Sequence, residues 1–126
     1  MMISNYIPTS SDFWKGRIDD PNDPDSFRMH QIIQLIDLNE KERIKIKKDK
    51  VNICLIGFCC DEGIIRNSGR PGAKEGPEYI RREFANLPVS YPEVLSLYDA
   101  GNIICEGINL EFFQNELRKV IKIILE

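Results

Sequence analysis

The segment Val51-Asn52-Ile53-Cys54-Leu55-Ile56-Gly57-Phe58 restricts the fold more than any other. It is short, β-branched and almost continuously apolar, the pattern of a strand buried on both faces in a parallel sheet covered by helices. Punctuating residues follow it directly: Cys59-Cys60-Asp61-Glu62-Gly63, then Arg66-Asn67-Ser68-Gly69-Arg70-Pro71-Gly72-Ala73, then Gly76-Pro77. Glycines at this density place backbone, rather than side chains, around a crevice. Loops at the carboxyl ends of strands are where α/β sheets hold their ligands. The sequence therefore predicts an α/β fold with a ligand-binding loop over residues 59–75.

The rest of the chain extends this pattern. Gly76-Pro77 starts a helix, with proline in the first turn, where its missing N–H costs nothing. Ile80, Phe84 and Leu87 are its expected inward stripe, and Pro88 helps end it. A second strand reads Val94-Leu95-Ser96-Leu97-Tyr98-Asp99 and is expected to close at Ala100-Gly101, a turn that Asp99 would fix. Asn109 caps a last helix, Leu110 to Leu125, whose apolar positions Leu110, Phe113, Leu117, Ile121 and Ile124 recur at spacings of three and four. Strand, helix, strand, helix make a βαβα unit with a right-handed crossover. Two strands cannot cover both faces and the second edge of a strand like 51–58. The pattern describes the start of a larger sheet, interrupted after about two strands.

Residues 1–50 read as a polar leader with one helix and a charged linker, ahead of the βαβα part at 51–126. Phe13-Trp14-Lys15-Gly16-Arg17 is an aromatic anchor expected to pack on the main body. The leader helix is expected to begin at Asp25 or Ser26 and to run through Ile36. Residues 39–50 carry six lysines and arginines and read as a solvated connector.

Bulk properties exclude several functions. The chain is of one-domain size at 126 residues, and its net charge of -3 gives no reason to expect nucleic acid as a partner. No segment has signal-peptide or membrane-spanning character, which predicts a cytoplasmic protein. Cys54, Cys59, Cys60 and Cys105 lack CxxC spacing and read as buried thiols in a reducing compartment. The only histidine, His30, precedes the first strand and reads as a surface or capping residue.

The block 53–82 resembles the N-terminal signature of the arginase/agmatinase (ureohydrolase) superfamily. Asp61, Gly63, Arg70, Pro71, Gly72, Ala73, Gly76, Pro77, Ile80 and Arg81 stand in the order of that signature. Within it the match is nearest the formimidoylglutamase branch. This rests on three blocks: Phe13 to Asp19, Gly57 to Arg70, and Tyr98-Asp99-Ala100-Gly101-Asn102-Ile103 followed by Leu110, Glu111 and Gln114. The resemblance implies a three-layer α/β/α fold around a parallel sheet, with two Mn²⁺ ions that activate a hydroxide for attack on an amidine or guanidine carbon. For this branch it implies a small acidic amidine substrate, N-formimidoyl-L-glutamate, cut to L-glutamate and formamide.

The superfamily's metal ligands are a histidine after a Gly-rich turn, an Asp-x-His-x-Asp motif and a later Asp-x-Asp. Neither the histidine nor the Asp-x-His-x-Asp motif occurs, and the one Asp-x-Asp, Asp23-Pro24-Asp25, lies in the polar leader ahead of the first strand, so no metal-binding, catalytic or cofactor residue is expected in this chain. The expectation is the N-terminal part of such a hydrolase, inactive by itself. The alternatives are one piece of a split amidinohydrolase completed by a partner chain, and a non-catalytic binding or regulatory remnant. Self-association is also open.

Arg66, Asn67 and Arg70 are the candidate substrate-binding residues, since guanidinium groups bind carboxylates in pairs of hydrogen bonds. For Arg70, bracing of the loop through backbone carbonyls is the competing role. Asp61 reads as a turn cap. Gly63, Gly69, Gly72 and Gly76 read as conformational, with Pro77 starting the helix. Arg81 and Arg82 are expected to make surface or subunit contacts.

Overall fold

The computed structural model describes residues 3–40 and 46–125. Residues 41–45 of the connector expected over 39–50 lie outside the described residues. The elements are β1 (Tyr6–Ile7), α1 (Met29–Ile32), β2 (Gln34–Leu35), β3 (Val51–Cys59), α2 (Glu62–Arg66), α3 (Gly76–Ala85), β4 (Leu95–Ile104) and α4 (Leu110–Leu125).

β4 is the centre of a four-stranded mixed sheet. β3 runs parallel along one edge, from Val51 opposite Leu95 to Cys59 opposite Ile104. The other edge is shared, with β2 parallel at Tyr98 and Asp99 and β1 antiparallel at Asn102 and Ile103. The expected two-strand parallel sheet therefore gains two short strands from the polar leader. Their polar surroundings hide them: each contributes only two residues, and hydrophobic periodicity needs a longer run to register.

The strand expected to end at Asp99 continues to Ile104. Leu55 pairs with Asp99 and Gly57 with Asn102, so Ala100 and Gly101 together oppose Ile56. This is a β-bulge, and Gly101 takes its left-handed residue at φ 93°. What reads locally as a turn is a kink inside a strand. Asp99 Oδ1 still accepts the Gly101 amide at 3.0 Å, but it serves the bulge.

The leader helix is also shorter than expected. Asp23 caps a single 3₁₀ turn at Pro24–Ser26, and α1 is only one turn long. The flanking backbone bonds elsewhere: Met29 N–H to the Leu87 carbonyl at 2.9 Å, Val89 N–H to Phe27 at 2.9 Å, and Ile36 N–H to Asp99 at 3.0 Å. An antiparallel bridge between Arg28 and Pro88, together with the bond to the edge of buried β4, outweighs the helical pattern of a short apolar run.

β4 is also the buried strand, from Ser96 to Gly101, whereas on β3 Val51 is 54% and Ile53 44% exposed. One side of the sheet packs Ala100, Ile103, Phe113 and Val120 with Tyr6 and Leu38. Leu110, Leu117 and Ile124 lie against this cluster as expected. Ile121 does not; it is exposed while Val120 and Glu116 are buried. Lys119 donates to Glu116 at 2.9 Å, which gives that carboxylate a partner.

The second side is organised by charge. Arg81 donates through Nε and Nη2 to the two oxygens of Asp99 at 2.7 and 2.9 Å. It also donates to the Gly101 carbonyl at 2.9 Å and to Asn102 Oδ1 at 2.7 Å. Trp14 Nε1–H donates to Asp99 Oδ2 at 2.8 Å. This is the expected aromatic anchor, seated edge-on against Phe84, with Arg82 over the Phe13 ring. Arg82 is a surface residue as expected; Arg81 is not. Its aim at Asp99 fixes the rotation of α3, so Arg81 and Ala85 are buried. Ile80 and Leu87 point outward instead of forming the inward stripe.

Candidate active-site loop at the carboxyl ends of the central strands

β3 and β4 end side by side, where the Cys105 amide donates to the Cys59 carbonyl at 3.0 Å. Beyond them opens a cavity of about 280 Å³ lined by Cys60, Asp61, Glu62, Lys74, Cys105 and Glu106, among others. This is the position at which parallel α/β sheets bind ligands. Of its lining, the sequence reading gave a role to Asp61, as a turn cap, and to Cys60 and Cys105, as buried thiols. The lysine, Glu106 and the Cys60–Cys105 pairing depend on strand register, which no motif encodes.

Asp61 holds the loop above the cavity. Its Oδ1 accepts the backbone N–H groups of Gly72 and Lys74, both at 2.9 Å. The Lys74 amide, then the Gly72 amide, keeps this exposed carboxyl below the ordinary carboxylate range. Gly72 has φ 143°, a conformation that side chains resist. Gly63 and Gly76 lie instead in helical backbone, within α2 and at the start of α3, and Gly69 has no positive φ. Gly63 and Gly76 therefore need no glycine conformation, whereas Gly69 is required by space: a β-carbon there would lie 2.5 Å from Ile64 Cγ2 and 3.1 Å from the Ile64 carbonyl. Pro77 sits in the first turn of α3.

The three candidate substrate residues are not gathered at one point. Arg66 donates to Glu111 at 2.6 and 3.3 Å, to Glu62 at 3.4 Å and to the Ile108 carbonyl at 2.7 Å. It fastens α2 to the start of α4, and its hydrogen bond holds the Glu111 carboxyl below its usual range. Asn67 donates to the Gly63 carbonyl at 3.0 Å and lines a neighbouring groove with Phe58, Ile64 and Gln114. Arg70 is exposed. His30 donates through Nε2–H to the Arg17 carbonyl, 2.8 Å away.

Cys54 and Cys105 are not poised for nucleophilic work. Burial pushes Cys54 up to about 11 and Cys105 up to about 12, the latter helped by a hydrogen bond with Cys60. Both are protonated at neutral pH, and a protonated thiol is a poor nucleophile and metal ligand. All four cysteines are free.

Residues 51–126 match the family model for the arginase family. The chain belongs to the arginase family. It is 49% identical to formimidoylglutamase of Clostridium tetani (strain Massachusetts / E88) over 125 residues, which is 99% of this chain and 37% of that protein. Formimidoylglutamase of Geobacillus kaustophilus is 40% identical over 121 residues, 96% of this chain and 36% of the relative. That of Vibrio vulnificus (strain YJ016) is 38% identical over 124 residues, 98% and 35%. This arginase-family chain thus spans little more than a third of the length of the curated relatives it matches.

The arginase family implies a pair of manganese ions. Among the described residues, no group of three or more His, Cys, Asp or Glu side chains is placed to hold a metal ion. Around the cavity, Asp61 is spent on loop amides and the Cys105 thiol is protonated. The described residues do not fit a metal pair. No described helix is long and apolar enough to cross a membrane.

Proposed function

We propose that this chain supplies the substrate-side rim and part of the scaffold of a hydrolase for N-formimidoyl-L-glutamate, releasing L-glutamate and formamide. The observation that carries this reading is the 49% identity to a formimidoylglutamase across 99% of the chain. The rim is the loop tied by Asp61 over the ends of β3 and β4. The substrate brings two carboxylates and a cationic amidine. The exposed guanidinium of Arg70 suits a carboxylate, with Asn67 as a second donor. Arg66 either joins them by exchanging Glu111 for substrate or holds the loop's base through α4. None of the described side chains forms a water-activating set, so this chain's part is binding and support. Free thiols suit a reducing cytoplasm.

A chimera tests this reading. The present chain replaces the matching segment of the Clostridium tetani formimidoylglutamase, and glutamate release is measured with Mn²⁺ supplied. Expected is hydrolysis of N-formimidoyl-L-glutamate within about tenfold of the parent kcat/KM. Arg70→Ala should raise KM about tenfold, the loss of one charge-assisted contact. A folded chimera that leaves this substrate intact, or that prefers arginine or agmatine, overturns the assignment.

A further inference from the structure

Two thiols stand opposite each other at the carboxyl ends of β3 and β4. The register pairs Phe58 with Ile103 and Cys59 with Ile104, and the Cys105 amide continues that ladder to the Cys59 carbonyl at 3.0 Å. One step further on each strand places Cys60 beside Cys105. Neighbouring strands run about 4.7–4.9 Å apart, inside the window of about 4.4–6.8 Å between α-carbons that a disulfide spans. Both cysteines join the cluster of Ile103, Phe113 and Val120, so their side chains share one face of the sheet. The Cys105 thiol is hydrogen-bonded with Cys60.

The other cysteines are out of reach. Cys59 directly precedes Cys60, and alternation along the strand turns its side chain to the opposite face, where it feels the Arg81 charge. Cys54 is six positions ahead of Cys60, about 20 Å along an extended strand. Of the four free cysteines, Cys60 and Cys105 alone line the cavity of about 280 Å³ beyond the strand ends. Both are otherwise buried, so a reagent small enough for that opening reaches the pair and a large one does not.

We propose that Cys60 and Cys105 are a reversible redox pair, closed to a cross-strand disulfide by a hydroperoxide and reopened by a thiol. Cys60 acts first, because the Cys105 S–H donates to its sulfur. The Cys60 sulfur attacks one peroxide oxygen, the O–O bond breaks, and Cys60 becomes a sulfenic acid as water or an alcohol leaves. The Cys105 sulfur then attacks the Cys60 sulfur, the S–O bond breaks, and the Cys105 proton departs with the hydroxyl as water. Two thiols give up two electrons and two protons, and the peroxide takes up both. Protonation makes Cys105 a poor nucleophile, but its fixed position against Cys60 offsets this with the gain of an intramolecular reaction. Cytoplasmic disulfides are mostly of this transient kind. The bond would tie the two strand ends directly beneath Asp61, which holds the amides of the loop. Nothing in this chemistry depends on the substrate.

The test treats the folded 126-residue chain, reduced and then freed of reductant, with an equimolar amount of hydrogen peroxide. Free thiols should fall from four to two, the intact monomer should lose the mass of two hydrogens, and dithiothreitol should restore all four thiols. Digestion of the oxidised parent, which needs no variant, should recover Cys60 linked to Cys105. Cys60→Ala and Cys105→Ala should each lower disulfide formation about tenfold or more, and the Cys105→Ala chain should be labelled by dimedone at Cys60, as a sulfenic acid is. Cys54→Ala and Cys59→Ala should oxidise as the parent does, which separates the pair from a general effect of emptying a buried site. Thiols that survive the peroxide, oxidation to sulfinic acid without a link, a bond from Cys59 or Cys54, or a disulfide between two chains would each overturn the proposal.

Discussion

Arg81→Met is expected to lower the stability of this protein by about 3–5 kcal/mol, the cost of stripping one partner from a buried ion pair. Asp99 is fully buried and Arg81 is 4% exposed. Their two hydrogen bonds replace the water that both charges lose on folding. Methionine fills much of the volume but leaves the Asp99 carboxylate with only Trp14 and a backbone amide. Since small domains hold only about 5–15 kcal/mol in total, this loss brings the chain near unfolding. Urea denaturation should show a lower midpoint at an unchanged slope. The double variant Arg81→Met/Asp99→Leu separates charge from packing. It should recover part of the loss, because no unpaired carboxylate remains. A double variant less stable than Arg81→Met by a further comparable step would show that packing, not charge pairing, holds α3 on the sheet.

Gly101→Ala has the next largest effect, about 2–4 kcal/mol, from backbone strain and overpacking combined. At φ 93° the residue lies where side chains are rarely found. A β-carbon there would also run into the Ile7 carbonyl and lie 2.8 Å from the Pro8 α-carbon. Neither is a flexible side-chain end, so the clash is relieved only by moving β1 off β4. The expected signature is local as well as global: Tyr6 sits at the β1 end of this contact, and its hydroxyl bonds the Ala100 carbonyl and accepts the Leu38 amide at 3.1 Å. Loss of β1 should therefore expose Tyr6 along with the thermal destabilisation. A variant with parental melting temperature and a buried Tyr6 would remove the bulge from the account.

The elements that were legible in the sequence share one property: their signal is local. The apolar run 51–58, Asn109 as the cap that accepts the Phe112 amide at 3.2 Å, and the Trp14 anchor each lie within a short window. What escaped depends on partners far along the chain. Gln34 and Leu35 are strand because β4 offers them an edge, not because their own pattern alternates. Locally Asp99 reads as a turn residue, although a carboxylate inside an apolar strand needs a buried cation, and Arg81 stands on the preceding helix. That mismatch was the one available signal for the central ion pair. Within the expected loop 59–75 the turn role of Asp61 was legible, but Cys59 belongs to β3 and Glu62–Arg66 form the short helix α2, too brief for its periodicity to register. The divergence of Arg66, Asn67 and Arg70 was not, because Arg66 is claimed by Glu111, 45 residues away.

Amide hydrogen exchange on the 126-residue protein tests most directly whether these residues build a scaffold centred on β4 and open at β3. Amides of β4 from Ser96 to Ile103 should be the slowest in the molecule and exchange only through global unfolding. The outward amides of Asn52, Cys54 and Ile56 should exchange orders of magnitude faster than the inward amides of Ile53 and Leu55 on the same strand. Equal protection on both sides of β3 would mean that its outer edge is already occupied, and would contradict the open scaffold described above.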